Sequence, residues 1–334
     1  MYQLPHYSHI TSFSKVAILT SGGDSPGMNP AIRALVRTAT SFGIEVIGIH
    51  RGYAGLLNEE FETLNSKSVS GLCHRGGTYL KSARCLEFHE AATRQRAFDI
   101  LSKHGIEALI VIGGDGSLSG AHELYQEFSI PVIGLPGTID NDIYGTDDSI
   151  GFDTAVTTAV EGIDKISDTA YSHDRHFLVE VMGRNYGLLA CHVAIAAGAE
   201  MVIVPEHQSD ITDISQQLAQ RRKEGIGSSG IIVVAEAGKS GWSNQLSEEM
   251  RQLGEDPRVC VLGHLQRGGK PTAHDRLLAA TLGNCAIHTL LEGKTDVMVG
   301  VTKGAVSTTP LEAVITQKKG LPVEVMDLIN ELQH

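Results

Sequence analysis

The chain has 334 residues, 42% of them hydrophobic and 20% charged, with a formal net charge of −12. That length points to about two domains with a sizeable core, and the acidic balance argues against nucleic-acid binding, which rests on Lys and Arg neutralising phosphates. Cys73, Cys85, Cys191, Cys260 and Cys285 are odd in number and form no C-x-x-C pair, so they read as reduced thiols of a cytoplasmic protein rather than a disulfide framework.

The first fifteen residues have no apolar h-region, and "YQLPHYSH" lacks apolar periodicity, so neither a signal peptide nor an ordered element is expected there. From Val16 onward one pattern recurs: an apolar, β-branched run leads at once into a Gly-rich polar segment. "VAILT" leads to "SGGDSPGMN", and a helix over 29–43 follows, with Ile32, Leu35, Val36 and Ala39 at helical spacing and Gly43 as its stop. A helix over 92–105 ends on Gly105, and "ALIVI" then leads to "GGDGS". "IPVIGL" leads to "PGTIDND", and Asp153 reads as the N-cap of a helix over 153–170 with Val156, Ala159, Val160 and Ile163 as its stripe. In the second half "FLVEV" leads to "MGRNYG", "IIVVAE" to "AGKSG" and "VCVLG" to "HLQRGG". The longest apolar tract, from Leu188, holds His192 and Glu200 and reads as a buried helix and strand, not a membrane span.

Continuous apolar runs of this length suit strands buried on both faces of parallel sheets. The expected fold is therefore α/β: two doubly wound domains with mainly parallel sheets and an active-site cleft between them. The six polar segments all fall at the carboxyl ends of strands, where such sheets bind ligands.

Gly22 and Gly23 lack a Cβ, so a phosphate has close access to their backbone, and the following helix offers its N-terminal dipole. The alternative is a tight turn with no ligand. In "IGGDGS", Asp115 beside phosphates needs a cation between them, and Mg²⁺ commonly uses one or two carboxylates plus phosphate oxygens and water; otherwise Asp115 is a turn former. In an extended "PGTIDND", Asp140 and Asp142 point the same way. Phosphoryl transfer to an alcohol needs a carboxylate that accepts the hydroxyl proton, and Thr138 has a hydrogen bond to donate to the transferring group. An Asx-turn cluster is the other reading. Arg84, Arg175, Arg184, Arg258 and Arg267, with His264 between the last two, are residues suited to fork-like phosphate recognition. Singly, each reads equally well as a surface ion-pair partner. Glu236 ends its strand either as an acceptor for sugar hydroxyls or as a partner for an Arg. Met182, Cys73, Cys191 and Cys260 read as core filler.

With these motifs assembled, the chain resembles the bacterial-type ATP-dependent 6-phosphofructokinases. "LTSGGDSPGMN", "RGGTYLKSAR", "IGGDGS", "GLPGTIDNDI", "EVMGRNYG" and "LGHLQRGG" stand in the family order over about residues 15–320. The resemblance implies that ATP is bound at Gly23, Arg84, Cys85, Gly114, Asp115, Gly116 and Ser117, with Asp115 on Mg²⁺. It implies Asp140 as the base that takes the proton from the sugar 1-hydroxyl, and Thr138, Asp142 and Arg184 around the transferring group. Fructose 6-phosphate is placed at Thr138, Ile139, Asp140, Arg175, Met182, Gly183, Arg184, Glu236, Arg258, His264, Leu265, Gln266 and Arg267. Arg175 and Arg258 are expected to act across a subunit interface, which implies a homo-oligomer, usually a tetramer. An ATP-binding domain of residues 1–151 plus about 265–315 and a fructose-6-phosphate domain of about 152–264 plus 316–334 are the expected division.

Gly116 and Gly137 stand where pyrophosphate-dependent relatives carry an acidic residue and a Lys, so ATP is the expected donor. Arg33, Arg37 and Glu200 match positions of a nucleotide effector site. Ser66, Ser167, Gly225 and Gly227 stand where further basic residues are usual, so ADP activation and phosphoenolpyruvate inhibition are expected to be reduced, absent or altered. A non-catalytic binding subunit on the same scaffold is the alternative, and it is disfavoured because Asp115, Asp140 and Arg184 are all retained.

Overall fold

The computed structural model describes residues 2–207, 210–224, 229–238 and 241–332. The chain begins β1 (Lys15–Thr20), α1 (Met28–Ser41), β2 (Glu45–Ile49), α2 (Gly52–Leu57), β3 (Phe61–Leu64), α3 (Ala91–Lys103), β4 (Ala108–Gly113), α4 (Asp115–Phe128) and β5 (Val132–Pro136). It continues as α5 (Phe152–Ser172), β6 (His176–Val181), α6 (Leu188–Ala197), β7 (Met201–Ile203), α7 (Ile211–Lys223), β8 (Gly230–Ala235), α8 (Trp242–Gln252) and β9 (Arg258–Val261). It closes with α9 (Ala273–Leu291), β10 (Val297–Thr302), β11 (Ala305–Pro310), α10 (Leu311–Thr316) and α11 (Val323–Leu332). Two compact units result: unit 1 is Met1–Asp153 with Arg267–Lys319, and unit 2 is Thr154–Gln266 with Gly320–His334.

Unit 1 carries a seven-stranded sheet in the order β11-β10-β5-β4-β1-β2-β3. Its centre is parallel, and the outer strands β3 and β11 run antiparallel to their neighbours. Alternate residues of one strand feed opposite faces. Val16 and Ile18 enter a core with Ile32, Leu35 and Leu282 of α1 and α9, while Ala17 and Leu19 enter one with Leu101 and Leu118 of α3 and α4. Both faces are covered, which is why these strands read as unbroken apolar runs. Gly43 and Gly105 follow their helices at φ 74° and 64°, the left-handed stop a side chain disfavours.

Unit 2 carries a four-stranded, wholly parallel sheet in the order β7-β8-β6-β9. Leu178, Ile232 and Val234 pack there against Leu218 of α7 and Leu246 and Met250 of α8. Among the described residues no helix is long and apolar enough to cross a membrane.

The strand reversals place the loops. In unit 1, β2 lies on one side of β1 and β4 on the other, so connections part between β1 and β4. In unit 2 the chain leaves β6 and its neighbour β8 in opposite directions along the sheet, toward β7 and β9, so the reversal lies between β6 and β8. Ligands of open α/β sheets bind at such points, outside the carboxyl ends.

Three expectations change. The segment 2–14 packs on unit 1: Gln3 N–H donates to Gly304 at 3.0 Å and Val306 N–H to Gln3 at 2.9 Å, and Tyr7 stacks on His288 at 4.7 Å. Edge pairing and ring stacking hold it, and neither needs apolar periodicity. Asp153 lies inside the first turn of α5 and accepts a hydrogen bond from Thr272 Oγ1, so it is not an N-cap. Of the presumed core fillers, Met182 and Cys191 are buried, whereas Cys73 and Cys260 are half-buried; all five thiols are free.

Candidate active site

Three polar loops of unit 1 leave the adjacent parallel strands β1, β4 and β5. The loop after β1 turns at Gly22, φ 84°. A side chain at Gly23 would collide with the Arg267 guanidinium, whose Nη1 donates to the Asp24 carbonyl at 3.1 Å. Arg267 therefore lies across this turn, in unit 1. Residues 75–85 are tied to the same place. Asn29 Nδ2 donates to the carbonyls of Arg75 and Gly76, and its Oδ1 accepts the Tyr79 N–H at 2.6 Å. Thr20 Oγ1 donates to the Lys81 carbonyl at 2.7 Å, and Ser82 Oγ to that of Gly22 at 2.5 Å. Arg84 at the end of this segment is exposed. Burial, and then the Glu87 charge, push the neighbouring Cys85 thiol up. The anchors Thr20, Asn29 and Ser82 escaped the sequence reading; the Asn of "GMN" was their one visible signal.

After β4, Gly114 is extended and Asp115 opens α4. The first-turn N–H groups of a helix lack intrahelical acceptors, so this turn offers donors beside the exposed Asp115. Side chains at Gly114 or Gly116 would meet nothing, whereas one at Gly113 would strike the Ser21 carbonyl at 2.5 Å and Ser117. The tight glycine is thus 113, and 114 and 116 border open space. Ser117 is buried, and its carbonyl accepts the Tyr53 hydroxyl at 2.6 Å.

The loop after β5 is not extended. It bends at Ile139 and Asp140, and Asn141 is left-handed at φ 51°. The alternation that would aim Asp140 and Asp142 alike does not operate here. Asp140 is 3% exposed, Ile139 is fully buried and Asp142 is half-buried. Thr138 Oγ1 accepts the Asp140 N–H at 3.1 Å, and the Thr138 carbonyl accepts Ser149 Oγ at 2.8 Å. Gly137 has no spare room: a Cβ there would meet Ile112 at 3.0 Å and Met28 at 3.1 Å.

In unit 2, loops leave β6, β8 and β9, again three adjacent parallel strands. Gln266, fully buried, accepts the Met182 N–H at 2.8 Å. Gly183 and Arg184 follow at φ 133° and 55°, and Arg184 is exposed. Glu236 directly follows β8 and is a backbone clamp, accepting the Arg184 N–H at 2.9 Å. His264 and Leu265 are exposed on the turn after β9. Arg175 and Arg258 stand elsewhere, directly before β6 and at the start of β9, at the amino ends of the strands. Arg175 precedes Met182 by the length of β6, and Arg258 pairs with Phe177, which puts them roughly 23 Å and 17 Å from the Met182 turn.

A phosphofructokinase family model matches residues 15–290 of the chain. The chain belongs to the phosphofructokinase family. It is 47% identical to ATP-dependent 6-phosphofructokinase 2 of Bacteroides thetaiotaomicron over 95% of this chain and 98% of that protein. It is 49% identical to ATP-dependent 6-phosphofructokinase 1 of Thermus thermophilus over 92% of this chain and 95% of that one. Phosphofructokinase of Saccharomyces cerevisiae superposes with a TM-score of 0.83 at 35% identity over 96% of this chain; the chain spans 47%, about half, of that longer protein. Within this family the remaining positions fall as follows. Arg33 and Arg37 lie one turn apart on α1, half-buried and exposed. Glu200 Oε2 is engaged by the Ile231 N–H at 2.6 Å. Gly225 and Gly227 lie outside the described residues.

Proposed function

We propose that the chain is an ATP:D-fructose-6-phosphate 1-phosphotransferase, forming fructose 1,6-bisphosphate and ADP in the cytoplasm. The observation that carries the reading is the set of loops on β1, β4 and β5, which puts two glycine turns, a helix N-terminus and the buried Asp140 on adjacent strand ends of a family member. In this reading Gly23, Arg84, Cys85 and Gly114–Ser117 take the nucleotide. Asp140 accepts the proton of the sugar 1-hydroxyl as that oxygen bonds to the γ-phosphorus and the bond to ADP breaks. Thr138, Asp142 and Arg184 surround the moving group, which makes the catalysis mainly positioning and charge stabilisation.

Mg²⁺ suits the donor set. Asp115 is an exposed hard oxygen ligand between two glycines that leave open space. Among the described residues no group of three acids, His or Cys forms a closed metal cage, in keeping with an ion held by one carboxylate together with phosphates and water. When bound, Mg²⁺ neutralises charge on the phosphates.

Fructose 6-phosphate is assigned to Met182, Gly183, Arg184, Glu236, His264, Leu265, Gln266 and Arg267, together with Thr138, Ile139 and Asp140 of the loop after β5. The amino-end position of Arg175 and Arg258 supports their serving a second copy, and hence a homo-oligomer, a tetramer in the family's usual form. A coupled assay of fructose 1,6-bisphosphate from fructose 6-phosphate and Mg-ATP, with pyrophosphate in parallel, tests the whole reading. Turnover with ATP that falls by about 10²- to 10⁴-fold in Asp140→Ser is expected; no turnover with either donor overturns the reading.

A further inference from the structure

Lys319 is the last residue of unit 1 before the chain enters α11. Its Nζ donates to Asn141 Oδ1 at 3.1 Å and to the Asp147 carbonyl at 3.2 Å. Asn141 Nδ2 donates to the same carbonyl at 3.0 Å. The three groups close a ring of hydrogen bonds. Asp147 is its fixed corner: the Asp147 N–H donates to the Val301 carbonyl of β10 at 2.7 Å, and the Asp147 carboxylate accepts the Lys303 N–H at 2.5 Å. Asn141 is the left-handed corner, 3% exposed with φ 51°. Asn is one of the few non-glycine residues that takes up this conformation readily, and here its side-chain amide is held at both ends, Oδ1 by Lys319 and Nδ2 by the Asp147 carbonyl. Asp140 is the residue immediately before it.

We propose that Lys319 is a positioning residue for phosphoryl transfer, clamping Asn141 against Asp147 so that the left-handed turn holds Asp140 in place. The proposal rests on Asp140 acting as the base. The charged groups that face the ammonium are Asp147, Asp148 and Asp142, and Asp148 is itself paired with His274. Burial outweighs their pull and brings the Lys319 pKa down from 10.5 to about 8. The clamp is thus charged at neutral pH and loses its proton as pH rises through about 8.

The test compares the full-length wild type with Lys319→Met and Lys319→Arg, at saturating ATP and fructose 6-phosphate, from about pH 6 to pH 10. Lys319→Met is expected to lower kcat about 10- to 100-fold, the scale of an ångström-level misplacement of a reacting group. Each KM should stay within about threefold, since ground-state contacts are untouched. Lys319→Arg should restore most of kcat and lack the loss above about pH 8, because a guanidinium keeps its charge. Wild-type kcat in Lys319→Met overturns the proposal. So does an equal loss in both variants accompanied by a lowered Tm, which marks mere structural filling. A wild type with no turnover at all fails the functional reading and this proposal together, whereas an Asp140-dependent enzyme indifferent to Lys319 fails the proposal alone.

Discussion

Glu236 Oε1 accepts the backbone N–H of Arg184 at 2.9 Å, and the Arg184 carbonyl accepts the N–H of Gly238 at 2.7 Å. A carboxylate directly after β8 thereby fixes a left-handed residue in the loop after β6. Glu236→Ala removes the acceptor of an exposed N–H that water still reaches, a loss of about 0.5–1.5 kcal/mol. The expected result is a fructose 6-phosphate KM raised about 2- to 12-fold with the ATP KM unchanged. Glu236→Gln keeps a carbonyl acceptor and should fall between. Steady-state kinetics in both substrates checks this; equal changes in the two KM values contradict it.

The two glycines of the donor argument are not alike. Gly116 borders open space in the first turn of α4, while Gly137 is hemmed in by Ile112 and Met28. Gly116→Ala should therefore gain up to about 1 kcal/mol of stability from reduced backbone freedom while raising the ATP KM, since the methyl occupies space assigned to phosphate. Gly137→Ala should instead lose about 1–3 kcal/mol by overpacking. Urea melts and ATP titrations of both variants separate the cases. Stabilisation by Gly137→Ala would show the crowding to be absent.

Arg175 and Arg258 lie at the amino ends of β6 and β9, and the Met182 turn lies at the carboxyl end. If one sugar phosphate meets both sets, two copies must supply them. Arg175→Ala and Asp140→Ser are then each nearly inactive alone, yet mixed oligomers regain activity, because some sites receive the intact residue of each copy. Co-expression and assay of the hybrid measure this. A hybrid no more active than the sum of its parents would assign Arg175 to its own copy or to no site.

Arg33 and Arg37 are the cations proposed for an effector phosphate, and Glu200 is engaged by the Ile231 backbone. Ser66 and Ser167 bring no charge, and each lost cation removes a charge-assisted hydrogen bond. Fructose 6-phosphate saturation is expected to be hyperbolic, with millimolar ADP or phosphoenolpyruvate shifting half-saturation by less than about fivefold, the lower end of ordinary allosteric coupling. Strong sigmoidal control would refute this.

How much of this was legible in the residues follows from the range of each interaction. An apolar run ending in glycines is a local signal, so the six loops and their strands could be read directly. Strand adjacency is not local: that β5, β4 and β1 stand together depends on pairings between distant segments that form only as the chain folds. The same holds within the site. Lys319 reaches Asn141 across 178 residues, and Arg267 reaches Asp24 across 243. The loop after β5 also misled: the Asn of "TIDND" is a residue type that tolerates the left-handed region, and that signal was outweighed by the expectation of an extended segment. The terminal segment 2–14 is held by a β11 edge and by His288, neither of which its own pattern reveals.

His176 opens β6 beside Arg175, 9% exposed, and neither ring nitrogen has a hydrogen-bond partner among the described residues. Burial is the largest influence and lowers its pKa below the ordinary 6.5; Glu255 opposes this, and Arg222 and Arg221 add to it. The imidazole is therefore neutral in the fold at pH 7. As pH falls below about 6.5 the unfolded chain takes up the proton before the folded one does, so stability is lost in the acid direction, by at most about 1.4 kcal/mol per pH unit. Urea unfolding of the wild type and His176→Leu at about pH 7 and pH 5 isolates this contribution. The wild type should lose more of its midpoint between the two conditions than the variant. Equal losses would mean that the acid sensitivity comes from other groups, and that His176 reaches water when it charges.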